Sequence, residues 1–137
     1  MDSQTQDLRF RKAWLAVGYC LVVLVVYLTV APEPQIDIPG DEGDKAGHLL
    51  AYATLMLWFA QLYRAGARRV LIAIAFVIMG IALEFVQLVE GTRTFDYFDM
   101  AANSFGVLLA YVAAPPRLPN FLRAVESMIG RLRHKRA

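Results

Sequence analysis

Apolar residues run along this chain in four long blocks, at 13–30, 46–63, 70–89 and 99–114, each cut off by prolines, charges or glycine. Each block approaches the roughly 20 residues that a helix needs to cross the hydrocarbon of a bilayer. Pro32, Pro34 and Pro39 exclude a long regular helix between the first and second blocks until about Gly43. Arg64, Gly66, Arg68 and Arg69 form a short basic turn before the third block, and residues 90–97 a short loop after it. Pro115 and Pro116 close the fourth. The remainder has a different pattern: Leu118, Phe121, Leu122, Val125, Met128, Ile129 and Leu132 recur at helical spacing among Arg123, Arg131, Arg133, Lys135 and Arg136. The pattern predicts an all-α protein. Residues 1–116 are expected to form a four-helix transmembrane bundle, and residues 117–137 a basic amphipathic helix lying on the membrane surface.

Composition strengthens the membrane expectation. Of 137 residues, 58% are hydrophobic, and the mean hydropathy is +0.44. One small soluble core cannot hide that much apolar side chain. Four spans nearly exhaust the chain and leave no room for a separate soluble domain. The first block, preceded by Arg9, Arg11 and Lys12, has features of a signal peptide. It is long for that role, and a cut after Ala31 would leave Pro32 at the new N-terminus, so a retained first helix is expected. Cys20 is the single cysteine, lies inside an apolar run and cannot form an intramolecular disulfide.

The net charge of +2 matters less than where the charges fall. Arg9, Arg11, Lys12, Arg64, Arg68, Arg69, Arg117, Arg123, Arg131, Arg133, Lys135 and Arg136 all fall on one side of the expected membrane, leaving only Lys45 and Arg93 on the other. By the positive-inside rule the first side is cytoplasmic, which places both termini inside. The outer loops are acidic, with Glu33, Asp37, Asp41, Glu42 and Asp44 in the first and Glu90 and Asp96 in the second.

Polar residues of the last three spans gather at their outer ends. Asp44, His48 and Tyr52 share one face of span two, with Lys45 beside them. Glu84 and Gln87 end span three, again expected on one face. Asp96, Asp99, Asn103 and Gly106 enter span four on a single face. Polar stripes at similar depth on three helices are expensive against lipid and stable when they face one another. Structural roles compete with this for each residue alone: Asp44 and Asp99 suit N-caps, Asn103 an interhelical hydrogen bond, and Lys45 and Arg93 neutralising partners. Ala102, Gly106 and Ala110, at steps of four, provide a face for close helix packing beside Asp99. There is also an internal echo. Asp41-x-x-Asp44-x-Ala46-Gly47-His48 is matched by Asp96-x-x-Asp99-x-Ala101-Ala102-Asn103. Two parallel hairpins related by a pseudo-twofold along the membrane normal would explain it.

Through Asp44-Lys45-x-x-His48-x-x-x-Tyr52, and Glu84-x-x-Gln87 followed by Arg93-x-x-Asp96-x-x-Asp99-x-x-x-Asn103-x-x-Gly106, the sequence resembles the VanZ-like family of small bacterial membrane proteins. The resemblance covers about half the chain, from span two through span four. A further glycine usual in that family is replaced here by Ala110. The resemblance implies a multi-pass protein of the bacterial inner (plasma) membrane linked to the cell envelope. The family is named for a protein contributing to teicoplanin resistance, and no activity carries over residue by residue.

Three functions are compatible with this pattern. The first is a binding site at the outer leaflet made by Asp44, Lys45, His48, Tyr52, Glu84, Gln87, Arg93, Asp96, Asp99 and Asn103. It would take a lipid head group, a lipid-linked cell-wall precursor or a glycopeptide antibiotic, with Lys45 and Arg93 meeting phosphate or carboxylate. The second is an enzyme on a lipid-linked substrate, with His48 as acid or base, or with His48, Glu84, Asp96 and Asp99 around a divalent cation. No defined metal motif is present, and Ser104 lies one step off the polar face. The third, a transporter, would need oligomerisation. The expected partners are membrane lipids, with no nucleic acid and no cofactor.

Overall fold

A computed structural model of the chain describes residues 6–31, 42–90 and 97–134, with side chains except at 42–44, 90, 133 and 134. The described residues are all-α, in five helices: α1 (Arg11–Val30), α2 (Glu42–Leu62), α3 (Ala67–Glu90), α4 (Tyr97–Ala113) and α5 (Phe121–His134). The four apolar blocks and the amphipathic tail each yield one helix. Their starts lie two to four residues earlier than the apolar runs for the first four. In α2 the extra turn holds Glu42 and Asp44, acids that the positive end of the helix dipole favours. In α3 it takes in Arg68 and Arg69, which leaves a shorter turn than the charges suggest.

α2 is the central helix. It touches α1, α3 and α4, most extensively α4. Leu55, Met56, Ala60 and Leu62 are fully enclosed along it. The closest approach falls at Gly106 of α4, where a Cβ would run into the Leu49 carbonyl and come 3.2 Å from the Ala53 nitrogen. Glycine is required there because only a bare backbone lets α4 lie so near α2. α1 packs more lightly, through Gly18 against Trp58 and Phe59. Its outward face, with Tyr19, Val23, Tyr27 and Leu28, is exposed, as are Leu71, Ile78 and Phe85 of α3.

Two helices, Arg11–Val30 and Ala67–Val89, are long and apolar enough to cross a membrane by length and composition. α4 is shorter, at 17 residues, and α2 carries Glu42, Asp44, Lys45 and His48 in its first two turns. These two less regular candidates pack most closely on each other, and His48, Asp99 and Asn103 are buried.

The end of the bundle near Trp14 and Trp58 is tied by side-chain caps. Arg69, buried, donates from Nε to the Tyr63 carbonyl at 3.1 Å and from its terminal nitrogens to the carbonyls of Ala60, Tyr63 and Pro115. It thereby satisfies carbonyls left open at the end of α2 and joins them to the segment after α4. The Glu126 carboxylate of α5 accepts hydrogen bonds from the Arg9 and Phe10 N–H groups and the Trp14 indole, each at 2.8 Å. This places a negative charge at the N-terminus of α1. Gln61 is clasped from the α5 side, accepting from Phe121 N–H at its Oε1 and from Asn120 Nδ2 at its carbonyl. Asn120 also caps α5 by accepting from the Arg123 N–H at 3.0 Å. The tail is therefore fastened to the bundle through Leu122, Phe121 and Glu126, while Val125, Met128 and Leu132 remain exposed. Arg9, Arg11, Lys12, Arg64, Arg68 and Arg69 share this end by chain position.

Candidate functional site

At the opposite end, three helices bring polar side chains together. His48 lies two turns into α2, Glu84 near the end of α3 and Asp99 in the first turn of α4. One potential ligand atom from each lies within 4.8 Å of the others. All three are buried, at 9%, 3% and 7% exposure respectively. The convergence follows from the packing order, since α2 and α3 both lie against α4.

Asn103, one turn beyond Asp99 on α4, bridges to α2. Its Oδ1 lies 3.1 Å from His48 Nδ1. An amide oxygen can only accept, so Nδ1 carries a proton and donates. Tyr52, one turn beyond His48, is also enclosed. Its hydroxyl has no hydrogen-bond partner among the described residues, and it is near enough to Glu84 for the carboxylate charge to act on it.

Gly80 brings these groups into register. A Cβ at that position would meet Asn103 Cβ at 3.1 Å and Tyr52 Cε1 at 3.2 Å. It sits one turn before Glu84, so a larger residue would push α3 away from the site. Sequence patterning did not single it out. The available signal was a glycine inside an otherwise bulky apolar helix, one turn before an acid.

Of the ten residues expected in the site, His48, Tyr52, Glu84, Asp99 and Asn103 lie together. Lys45 is half-buried at the start of the same stretch of α2. Gln87 is buried but turned toward α1, where its Nε2 donates to the Thr29 carbonyl at 2.7 Å and satisfies the end of that helix. The Asp44 side chain, Arg93 and Asp96 lie outside the described residues. Ser104 donates to the Met100 carbonyl of its own helix.

Chemically, the arrangement combines a fixed imidazole, two carboxylates, an amide and a phenol in a setting walled by apolar helices. It can hold a small cationic or hydrogen-bonding group, or orient one that approaches from the end of the bundle.

The chain is similar to an uncharacterized protein of the fission yeast Schizosaccharomyces pombe, with 36% identity over 103 residues. The similarity covers 73% of this chain and 61% of the yeast protein, so the chain spans about three fifths of its relative's length. No protein-family model and no solved structure matches.

Proposed function

We propose that this chain is a multi-span membrane protein whose interior polar site receives a lipid head group at the outer leaflet. The observation that carries the reading is the convergence of His48, Glu84 and Asp99 from three helices. Buried ionisable groups on separate helices are costly to keep among apolar surroundings, and in membrane proteins they mark binding or transport sites. The positions through which the sequence resembles the VanZ-like family include the residues that meet there, which supports placing the protein with that family.

The membrane reading has its own support. A helix with Tyr19, Val23, Tyr27 and Leu28 all exposed leaves an apolar strip that water does not tolerate and lipid does. In this reading α1 to α4 all span. The basic end faces the cytoplasm, with both termini there, and α5 lies at the inner surface with Val125, Met128 and Leu132 toward the acyl chains. Given a relative in fission yeast, the bacterial inner membrane expected from the VanZ-like resemblance gains no support.

Of the ligands considered, a lipid head group suits the site best. Glu84 and Asp99 accept from its hydroxyl or amine donors, and Lys45 meets its phosphate. A cell-wall precursor or glycopeptide rests on the family resemblance alone. Native mass spectrometry of the chain extracted in mild detergent tests the reading. A retained phospholipid, lost in Asp99→Asn and Glu84→Gln, is the expected result. Retention that is absent, or equal in all three forms, overturns it.

A further inference from the structure

We propose that His48, Glu84 and Asp99 hold a divalent first-row transition metal of the Zn²⁺ type. The proposal rests on the reading of this cluster as a binding site and deepens it by naming the occupant nearest the three side chains. Those side chains are buried, so what sits among them is small.

Four features carry the assignment. First, the donor set is mixed. One imidazole and two carboxylates suit Zn²⁺, Mn²⁺ or Fe²⁺, whereas Mg²⁺ and Ca²⁺ prefer oxygen alone. Second, His48 is already oriented. Its Nδ1–H donates to Asn103 Oδ1 at 3.1 Å, so a metal would take the ring at Nε2. A second hydrogen bond at the far ring nitrogen is what metal-bound histidines ordinarily have. Third, Tyr52 is 1% exposed, and its hydroxyl is unpartnered among the described residues and within electrostatic reach of Glu84. It is a donor available to the second oxygen of a ligating carboxylate or to a metal-bound water. Fourth, a dication is attracted to both carboxylates at once, and in apolar surroundings that attraction is weakly screened.

The geometry is near what is needed. In a tetrahedral site two ligands at about 2.0–2.1 Å from the ion lie about 3.4 Å apart. The three donor atoms lie within 4.8 Å of one another, so seating the ion draws the widest pair inward by up to about 1.4 Å, a movement that rotation of the two carboxylate side chains can supply. Three protein ligands leave a fourth position open. A head-group phosphate or a water would complete it. The competing source of positive charge is Lys45, at the start of the same stretch of α2. With its ammonium satisfying the acids, the cluster would be an internal charge network with no room for an ion.

Titration of the full chain in detergent, stripped with chelator and freed of lipid, separates these cases. Co²⁺ should bind at about one equivalent with visible absorption bands, be displaced by Zn²⁺ and not by Mg²⁺, and raise the thermal midpoint. His48→Ala and Asp99→Asn should weaken binding at least about tenfold, Asn103→Ala by about tenfold to a hundredfold, and His134→Ala not at all. No Co²⁺ or Zn²⁺ binding at micromolar concentration overturns the proposal. So does binding that survives His48→Ala or is lost in His134→Ala. Should the site variants not fold, the wild-type and His134→Ala titrations decide alone. Phospholipid retained on extraction by a protein that then binds no Co²⁺ or Zn²⁺ keeps the head-group reading while the metal fails, and metal bound by a protein that retained no phospholipid on extraction does the reverse.

Discussion

His48 Nδ1 and Asn103 Oδ1 lie 3.1 Å apart, 55 residues apart in sequence. They are also the corresponding last residues of the two matched stretches that begin at Asp41 and Asp96. The two echoing segments therefore meet at equivalent positions, as residues beside a pseudo-twofold between α2 and α4 would. Interhelical hydrogen bonds in membrane proteins average about 0.6 kcal/mol, with an upper value near 1.7 kcal/mol. A double-mutant cycle of His48→Ala and Asn103→Ala, read by unfolding in detergent, should give a coupling in that range. Strict additivity would mean that the contact contributes nothing to the bundle.

The α2–α4 contact should be sensitive at Gly106 and indifferent at Gly47. A methyl at Gly106 strikes the Leu49 carbonyl, which is backbone and cannot rotate away. Gly106→Ala should destabilise by about 1–3 kcal/mol, the usual range for overpacking. Nothing lies within 4 Å of a Cβ at Gly47 or Gly130. Alanine there should gain up to about 1 kcal/mol from helix propensity. Thermal midpoints of the three single variants test the contrast, and a harmless Gly106→Ala would mean that the helices are further apart.

Arg69 separates charge from geometry. Lysine keeps the positive charge that bears on membrane orientation, but lacks the planar fork that reaches the carbonyls of Ala60, Tyr63 and Pro115. Arg69→Lys should preserve topology while lowering stability by about 1–3 kcal/mol, the cost of leaving buried groups unsatisfied. Equal stability of the two forms in chemical denaturation would show that the guanidinium bonds are dispensable.

The helices were legible because long apolar runs bounded by proline and charge have few other solutions. Their N-terminal ends were less so, since Glu42 and Arg68 read as loop by charge yet sit comfortably in a first turn. Within the site, the four-residue steps from His48 to Tyr52 and from Asp99 to Asn103 correctly suggested shared faces. The three-residue step from Glu84 to Gln87 turns the helix by about 300°, and that residual rotation carries Gln87 to the α1 side. Arg69 and Glu126 act on backbone atoms 46 and 117 residues away, and no local pattern announces such pairs. A hint existed for Glu126, the sole acid in a basic tail.

Orientation is open to direct chemistry. In a Cys20→Ala background, a cysteine at position 42 should react with a membrane-impermeant reagent from outside, and one at position 67 only from the cytoplasmic side. The segregation of basic residues motivates this. Labelling with the opposite sidedness would invert the protein and move the site to the inner leaflet.

Acid should release α5 from α1. Burial tends to raise the Glu126 carboxyl. The hydrogen bonds from Phe10, Trp14 and Arg9, with the Arg9 charge, outweigh it and hold the group below its ordinary value of 4.5. A folded-state value below the unfolded one means that the clasp contributes fully above pH 4.5. That contribution is lost as pH falls through the depressed value. Deprotonated Glu126 accepts three donors, and protonation replaces an acceptor with a competing O–H. Trp14 donates to this carboxylate, so indole fluorescence and hydrogen exchange at residues 9–14 should change together below pH 4.5. Glu126→Gln should show the loosened state already at neutral pH, with little further response to acid. An unchanged acid transition in Glu126→Gln would assign it to another group.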